Sequence, residues 1–150
     1  MVYLLIVAGV FLLDLGIKHY MEKKYATRVA HPRLGGRILI EKYYNKGAAL
    51  NFLSKRPKLM QAIHTLLMLL LGVFYYFLLR REGKALQKTG VALLFGGGLS
   101  NLIDRYTKGH VVDYFRINRG PEWLRRIIFN ISDFCIFIGA LLAVCGAEME

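Results

Sequence analysis

The sequence predicts an all-α integral membrane fold, a four-transmembrane-helix bundle forming a single domain over residues 1–150. Two observations predict it. The chain is 55% hydrophobic with a mean hydropathy of +0.38, above the roughly 45–50% apolar content of ordinary soluble domains. Its apolar residues also gather into four stretches, with approximate spans 2–18, 59–79, 89–104 and 127–147.

The first stretch has the apolar character of a secretory leader, but no basic segment precedes it and no small-residue cleavage site follows. Asp14, Lys18 and His19 come instead, so a retained first helix is expected. The second and fourth stretches reach the roughly 20 residues that a spanning helix needs, whereas the first and third depend on flanking side chains to complete the crossing. His64 in the second reads as a packing or interfacial residue. Gly96, Gly97 and Gly98 in the third allow a neighbouring helix to approach closely. Cys135 and Cys145 both lie in the fourth and read as small hydrophobes, so neither a disulfide framework nor a metal site is expected.

The segments between the stretches are basic. A net charge of +11 would suggest nucleic acid in a soluble protein, but here anionic lipid headgroups are the expected partner and nucleic acid is not. Residues 19–58 are too many for a plain connector. After a Gly35-Gly36 turn signal, RILIEKYYN (residues 37–45) is rich in β-branched and aromatic side chains. It fits a short interfacial strand or hairpin, and it equally fits an irregular loop anchored by Tyr43 and Tyr44 in the headgroups.

Four alternating spans put the C-terminal ends of the first and third helices and the N-terminal end of the fourth on one membrane face. That face collects Asp14 and Lys18, then Asn101, Asp104 and Arg105, then Asn130 and Asp133, together with residues 19–58 and the segment that holds Asp113. The spacings are i to i+4 in the first helix, i to i+3 and i+4 in the third, and i to i+3 in the fourth. Each set therefore shares a helix face and can converge on one pocket.

Ionisable groups at the edge of an apolar span are costly unless paired or wetted, which makes these aspartates functional candidates. Two carboxylates held a few Å apart share one proton, leaving one acid and one base. Such a pair can activate water against a peptide carbonyl and protonate the carbonyl oxygen. Asp14 with Lys18 is equally an interfacial ion pair, and Asp104 beside Arg105 a buried pair that orders the end of the third helix. Asp113, in VVDYF, and Asp133 have no adjacent cation. From the residues alone, a catalytic dyad and a proton-relay or packing role both remain open for them.

NKGAAL (residues 45–50), GGGLSNLIDRYTKGHVVDYF (96–115) and FNISD (129–133), with the Asp14 and Lys18 pair, resemble the signature blocks of the lipoprotein signal peptidase (signal peptidase II) family. The resemblance implies an intramembrane aspartic endopeptidase of bacteria that removes the signal peptide from diacylglyceryl-modified prolipoproteins, on the amino side of the lipidated cysteine. It implies Asp113 and Asp133 as the catalytic dyad, and Asn45, Asn101, Arg105 and Asn130 as the residues that line the pocket and hold the substrate. Asp14, Lys18 and Asp104 would be structural support. It further implies a small extracytoplasmic β-cradle on the helix bundle, no metal and no organic cofactor, and a monomer in the bacterial cytoplasmic membrane with membrane lipids as neighbours. Leu50, Asn51, Ser100 and Ser132 depart from the family's usual Phe, small residue, Gly and Ala, and the segment 116–126 is unusually basic.

Orientation is contested within the sequence. Lys and Arg number 10 in residues 19–58 and 6 in residues 105–126, against 4 in residues 80–88, which by charge bias puts the polar face in the cytoplasm. The resemblance puts it outside. The resemblance is preferred, because basic residues around a site in the headgroups can bind anionic lipid. Two readings of another class are a proton-coupled transporter subunit using Asp14, Asp104 and Asp133 as a relay, and a non-catalytic membrane scaffold. A relay needs carboxylates spread through the bilayer depth, whereas these gather at one edge.

Overall fold

The computed structural model describes residues 1–48 and 52–149. In chain order its elements are α1 (Val2–Lys24), β1 (Ala30–Arg33), β2 (Ile38–Asn45), α2 (Pro57–Leu79), α3 (Ala85–Lys108), β3 (Val111–Ile117), the single turn α4 (Glu122–Arg125), β4 (Ile128–Phe129) and α5 (Ile131–Met149). The protein is thus mostly helical with a small antiparallel sheet. Leu50 and Asn51 lie outside the described residues.

Among the described residues, α1, α2 and α5 are long and apolar enough to cross a membrane. Their outer faces carry exposed Leu4, Leu5, Leu12 and Leu13, Leu66, Leu67, Leu69 and Leu70, and Leu141 and Val144. A stripe of that kind is expected of a helix whose solvent is lipid. α3 is as long but more polar, because it carries Lys88, Asn101, Asp104, Arg105 and Lys108. The first four of these are buried, so α3 turns its polar side inward as the central helix of the bundle.

Three consecutive glycines let α3 serve that role. Successive helix positions are about 100° apart, so Gly96, Gly97 and Gly98 face three different neighbours. A Cβ at Gly96 would sit 2.9 Å from the Val7 carbonyl oxygen of α1, one at Gly97 would sit 2.6 Å from the Ser132 carbonyl oxygen of α5, and one at Gly98 would meet the Met68 thioether of α2. Further along, a Cβ at Gly139 would sit 2.5 Å from the Gly90 carbonyl oxygen, so α3 and α5 touch backbone to backbone. Close approach of this kind is what holds helices together where lipid removes the hydrophobic drive. At the far end Tyr75, Leu78, Val91 and Ala92 form an apolar cluster.

The sheet caps the other end of the bundle in the order β1-β2-β3-β4, all antiparallel. The strand anticipated near residues 37–45 is β2, and β1 pairs with it through a turn in which Leu34, Gly35 and Gly36 have positive φ. β3 and β4 are additions to the expected fold. α3 stops at Gly109, whose left-handed φ of 73° and N–H bond to the Arg105 carbonyl form a C-terminal cap. The chain then doubles back as β3, over the polar end of α3. α5 begins at Ile131, later than the hydropathy start at residue 127. Asn130 and Asp133 form a reciprocal capping box there: each backbone N–H donates to the other's side chain, both at 2.9 Å. Ile128 and Phe129 are left to pair with β3.

Candidate active site

Register places the first aspartate. Asp113 lies opposite Tyr43 in the β2–β3 ladder, and Asn45 is two residues along on the same face of β2. Its Nδ2 accordingly reaches Asp113 Oδ2 at 3.0 Å. The other oxygen of Asp113 accepts from Asn130 Nδ2 at 2.7 Å. Asp133, on the first turn of α5, accepts from Asn101 Nδ2 at 3.1 Å and from the Asn130 backbone N–H at 2.9 Å. Asn130 is fully buried between the two carboxylates and touches both. A third contact, from Asn130 Nδ2 to Asn101 Oδ1 at 3.1 Å, ties the α3 and α5 members together.

Both aspartates line one cavity of about 370 Å³, within the usual range of roughly 300–1,000 Å³ for small-ligand pockets. Asn45, Asn101 and Arg105 lie among its other polar groups, with Tyr43, His64 and Arg126. Met60, His64 and Leu67 of α2 and Ile136 and Phe137 of α5 form its walls, with residues 126–129 along one side. The wall is thus apolar where it meets the membrane helices and polar at the carboxylates. Burial and the charge of Asp133 push the Asp113 carboxyl up to about 8, against which the amides of Asn45 and Asn130 pull only in part. Burial and the neighbouring carboxylate thus favour the protonated form of Asp113.

Arg105 lines the cavity too, but its guanidinium is turned to the chain. Nη2 donates to the Gly47 carbonyl at 2.6 Å and Nη1 to that of Lys46 at 3.4 Å, while Asn45 Oδ1 accepts from the Gly47 N–H at 2.9 Å. The loop after β2 is thus fastened at both backbone polarities. The pairing expected between Asp104 and Arg105 is not the one formed. Asp104 is ion-paired to Lys18 Nζ at 3.1 Å and to Lys108 Nζ at 2.9 Å, and accepts from the Val112 N–H at 3.1 Å. At i+4 Lys108 stays on the face of Asp104, whereas Arg105, one residue on, points about 100° away.

Beneath the cavity lies an ion network with no exposed member. Lys18 Nζ is 2.7 Å from Asp14 Oδ2, and donates to Asn101 Oδ1 at 2.8 Å and to Ser100 Oγ at 3.1 Å. Asp14, Lys18 and Asp104 are fully buried, so this is no interfacial pair. Asp14 also accepts from the Ser100 and Ser132 hydroxyls, each at 2.6 Å, and from Tyr114 OH at 3.1 Å. Ser100, Ser132 and Tyr114 were not among the candidate residues. Their signal was a small hydroxyl one turn from Asp104 for Ser100, a hydroxyl at the start of an apolar helix for Ser132, and the alternation that puts Tyr114 on the opposite side of β3 from Asp113. His64, read as a packing residue, lines the cavity. Among the described residues no three His, Cys, Asp or Glu side chains are grouped to hold a metal ion.

The family model described as signal peptidase (SPase) II matches residues 6–147. The chain belongs to the signal peptidase II family. It is therefore a peptidase with membrane-spanning helices. A lipoprotein signal peptidase of Lactiplantibacillus plantarum is 28% identical over 145 residues, covering 97% of this chain and 93% of that one. Another from Paraburkholderia phytofirmans is 35% identical over 137 residues, covering 90% of this chain and 77% of that one. Among solved structures, one described as a bacterial membrane enzyme determined by the in meso method at 2.3 Å resolution superposes with a TM-score of 0.84 at 23% identity. It covers 98% of this chain and 87% of that one. A second, at 1.9 Å resolution, has a TM-score of 0.81. The fold of this signal peptidase II chain is thus shared with solved membrane enzymes.

Proposed function

We propose that the chain is an aspartic endopeptidase that removes the signal peptide from diacylglyceryl-modified prolipoproteins, cutting on the amino side of the lipidated cysteine. The observation that carries this is that Asp113 and Asp133 line one cavity and are bridged by Asn130. Two carboxylates so placed hold one proton between them. Burial and the neighbouring Asp133 push Asp113 up to about 8, so in this reading Asp113 is the acid of the pair and Asp133 the base.

The reaction follows from that asymmetry. Water in the cavity gives a proton to Asp133 as its oxygen bonds to the scissile carbonyl carbon, and Asp113 gives its proton to the carbonyl oxygen. The tetrahedral gem-diol collapses when Asp133 returns its proton to the leaving amine and Asp113 recovers one from a diol hydroxyl. Both carboxyls end as they began, with the C–N bond broken and one water consumed. The two carboxyls supply both the base and the acid, so the step as proposed needs no metal and no organic cofactor. Asn45, Asn101 and Asn130 hold the carboxylates, and Arg105 holds the loop of Lys46 and Gly47 against the cavity, where a substrate backbone passes. Asp14, Lys18 and Asp104 support the site from beneath.

In this reading α3 is a fourth span, its polar residues satisfied inside the bundle, and the whole chain is one multi-pass peptidase domain of the bacterial cytoplasmic membrane. The sheet and dyad face the extracytoplasmic side, with basic residues among anionic headgroups, and the protein acts as a monomer without nucleic acid. The apolar wall of Met60, Leu67, Ile136 and Phe137 supports a lipid-bearing substrate. The test is cleavage of paired peptides, one diacylglyceryl-modified at its cysteine and one unmodified, with product masses assigned. Cleavage of the modified peptide alone, on the amino side of the cysteine, is expected. Equal cleavage of both, or cleavage elsewhere, overturns the substrate assignment.

A further inference from the structure

The dyad is carried by two elements, and its carboxylate spacing depends on what joins them. Asp113 is on β3 and Asp133 on the first turn of α5, and the β3–β4 pairing reaches no farther than Phe129. Tyr114 follows Asp113, and on a strand its side chain points to the opposite face. It is buried, at 6% exposure, and its hydroxyl does two things. It accepts from the Ile131 N–H at 3.0 Å and donates to Asp14 Oδ1 at 3.1 Å. The Ile131 N–H, at the first helical position of α5, is one of the donors with no partner inside the helix. Asn130 and Asp133 already take each other's N–H groups, and Tyr114 takes the next.

Asp14 fixes the hydroxyl in turn. Its Oδ2 accepts from Ser132 Oγ at 2.6 Å, so a single carboxylate holds both the strand residue and the second residue of α5. Lys18 and Ser100, at 2.7 and 2.6 Å, keep the carboxylate in place from α1 and α3. A negative charge beside the N-terminus of α5 also suits the helix dipole.

We propose that Tyr114 is a positioning residue that, anchored by Asp14 and seconded by Ser132, sets the spacing of Asp113 and Asp133 by tying the strand of one to the helix start of the other. The inference rests on the dyad reading above. It gives Asp14 a task beyond support and gives Ser132, a departure from the family's usual residue, a share in it. Misplacing reacting groups by about 1 Å can cost on the order of 100-fold in rate.

Purified full-length Tyr114→Phe keeps the ring and loses the hydroxyl. Its kcat on the diacylglyceryl-modified peptide is expected to fall about 10- to 100-fold with KM within about twofold. Amide hydrogen exchange over residues 130–133 should speed up in the same variant. Ser132→Ala, which leaves Tyr114 tethered, should lose less. The double variant should lose less than the product of the two single losses, since both hydroxyls act through Asp14. An unchanged kcat, or unchanged exchange, in a folded Tyr114→Phe protein overturns the tether. If Tyr114→Phe does not fold, Ser132→Ala decides, and wild-type kcat and exchange in it overturn the shared anchor. A wild type that cleaves while Asp113→Asn also cleaves overturns the dyad reading itself, a result that the exchange data cannot mimic.

Discussion

Gly97→Ala perturbs the position where bundle packing and the candidate site meet most directly. A Cβ there would lie 2.6 Å from the Ser132 carbonyl oxygen and 3.1 Å from Ile136 Cγ1, where ordinary contact begins at 3.4 Å. The first obstacle is helix backbone and cannot rotate away, so α5 must retreat by about 0.8 Å at its first turn, by difference between those two distances. Ser132 is adjacent to Asp133, so the Asp133 carboxylate moves with it. Overpacking of this kind costs about 1–3 kcal/mol, and a displacement near 1 Å costs roughly 100-fold in rate. The assay is initial rates on the diacylglyceryl-modified peptide, well below the unfolding midpoint, with thermal unfolding in detergent alongside. Gly98→Ala is the paired control. The nearest atoms to its Cβ belong to the Met68 side chain, which is flexible and can swing aside, so kcat should stay within about threefold and the stability loss below about 1 kcal/mol. A Gly97→Ala enzyme with wild-type kcat would refute the reasoning, because backbone contact at that glycine would then not control the position of Asp133.

Three further outcomes are expected. The Asp113 carboxyl is raised to about 8, so its protonated form is favoured by folding. That contribution is full below the ordinary value near 4 and is lost as pH rises through about 8. Then kcat/KM should fall about tenfold per pH unit above that point, and a flat profile to pH 10 contradicts it. Lys18→Met leaves Asp14 and Asp104 buried without their shared cation, which should cost about 3–5 kcal/mol in thermal or denaturant unfolding. A loss below about 1 kcal/mol means the hydroxyl donors suffice. Arg105→Lys loses the fork that holds the Lys46 and Gly47 carbonyls, and should raise KM several-fold with a smaller effect on kcat. The reverse split indicates that Arg105 acts on the reacting groups.

The polar residues were legible because hydropathy makes them costly. Asp14, Lys18, Asn101, Asp104, Asn130 and Asp133 were placed together by helix spacing and the alternation of spans, and they form one bonded network. The four-stranded sheet was only partly legible. β2 had its Gly-Gly turn and β-branched run, but VVDYFRI was read for its aspartate and not for the β-branched and aromatic residues that favour a strand. Hydropathy could not separate β4 from α5, since Ile128 and Phe129 are as apolar as the helix that follows. The division comes from the capping box at Asn130 and Asp133, two residues already singled out for chemistry. The partner of Asp104 was missed because adjacency in sequence suggested Arg105, whereas helix geometry favours Lys108 at i+4 and a contact from α1 that no local pattern announces. The same holds for Ser100, Ser132 and Tyr114, whose meaning exists only once Asp14 lies among them.

The central claim is that Asp113 and Asp133 act together on a water molecule. It is tested most directly by kcat on the diacylglyceryl-modified peptide for wild type, Asp113→Asn and Asp133→Asn, each shown to be folded. The account predicts turnover in the wild type and a loss of at least about 1,000-fold in either variant, since neither half of the acid–base pair can act alone. Wild-type turnover in either variant would contradict it.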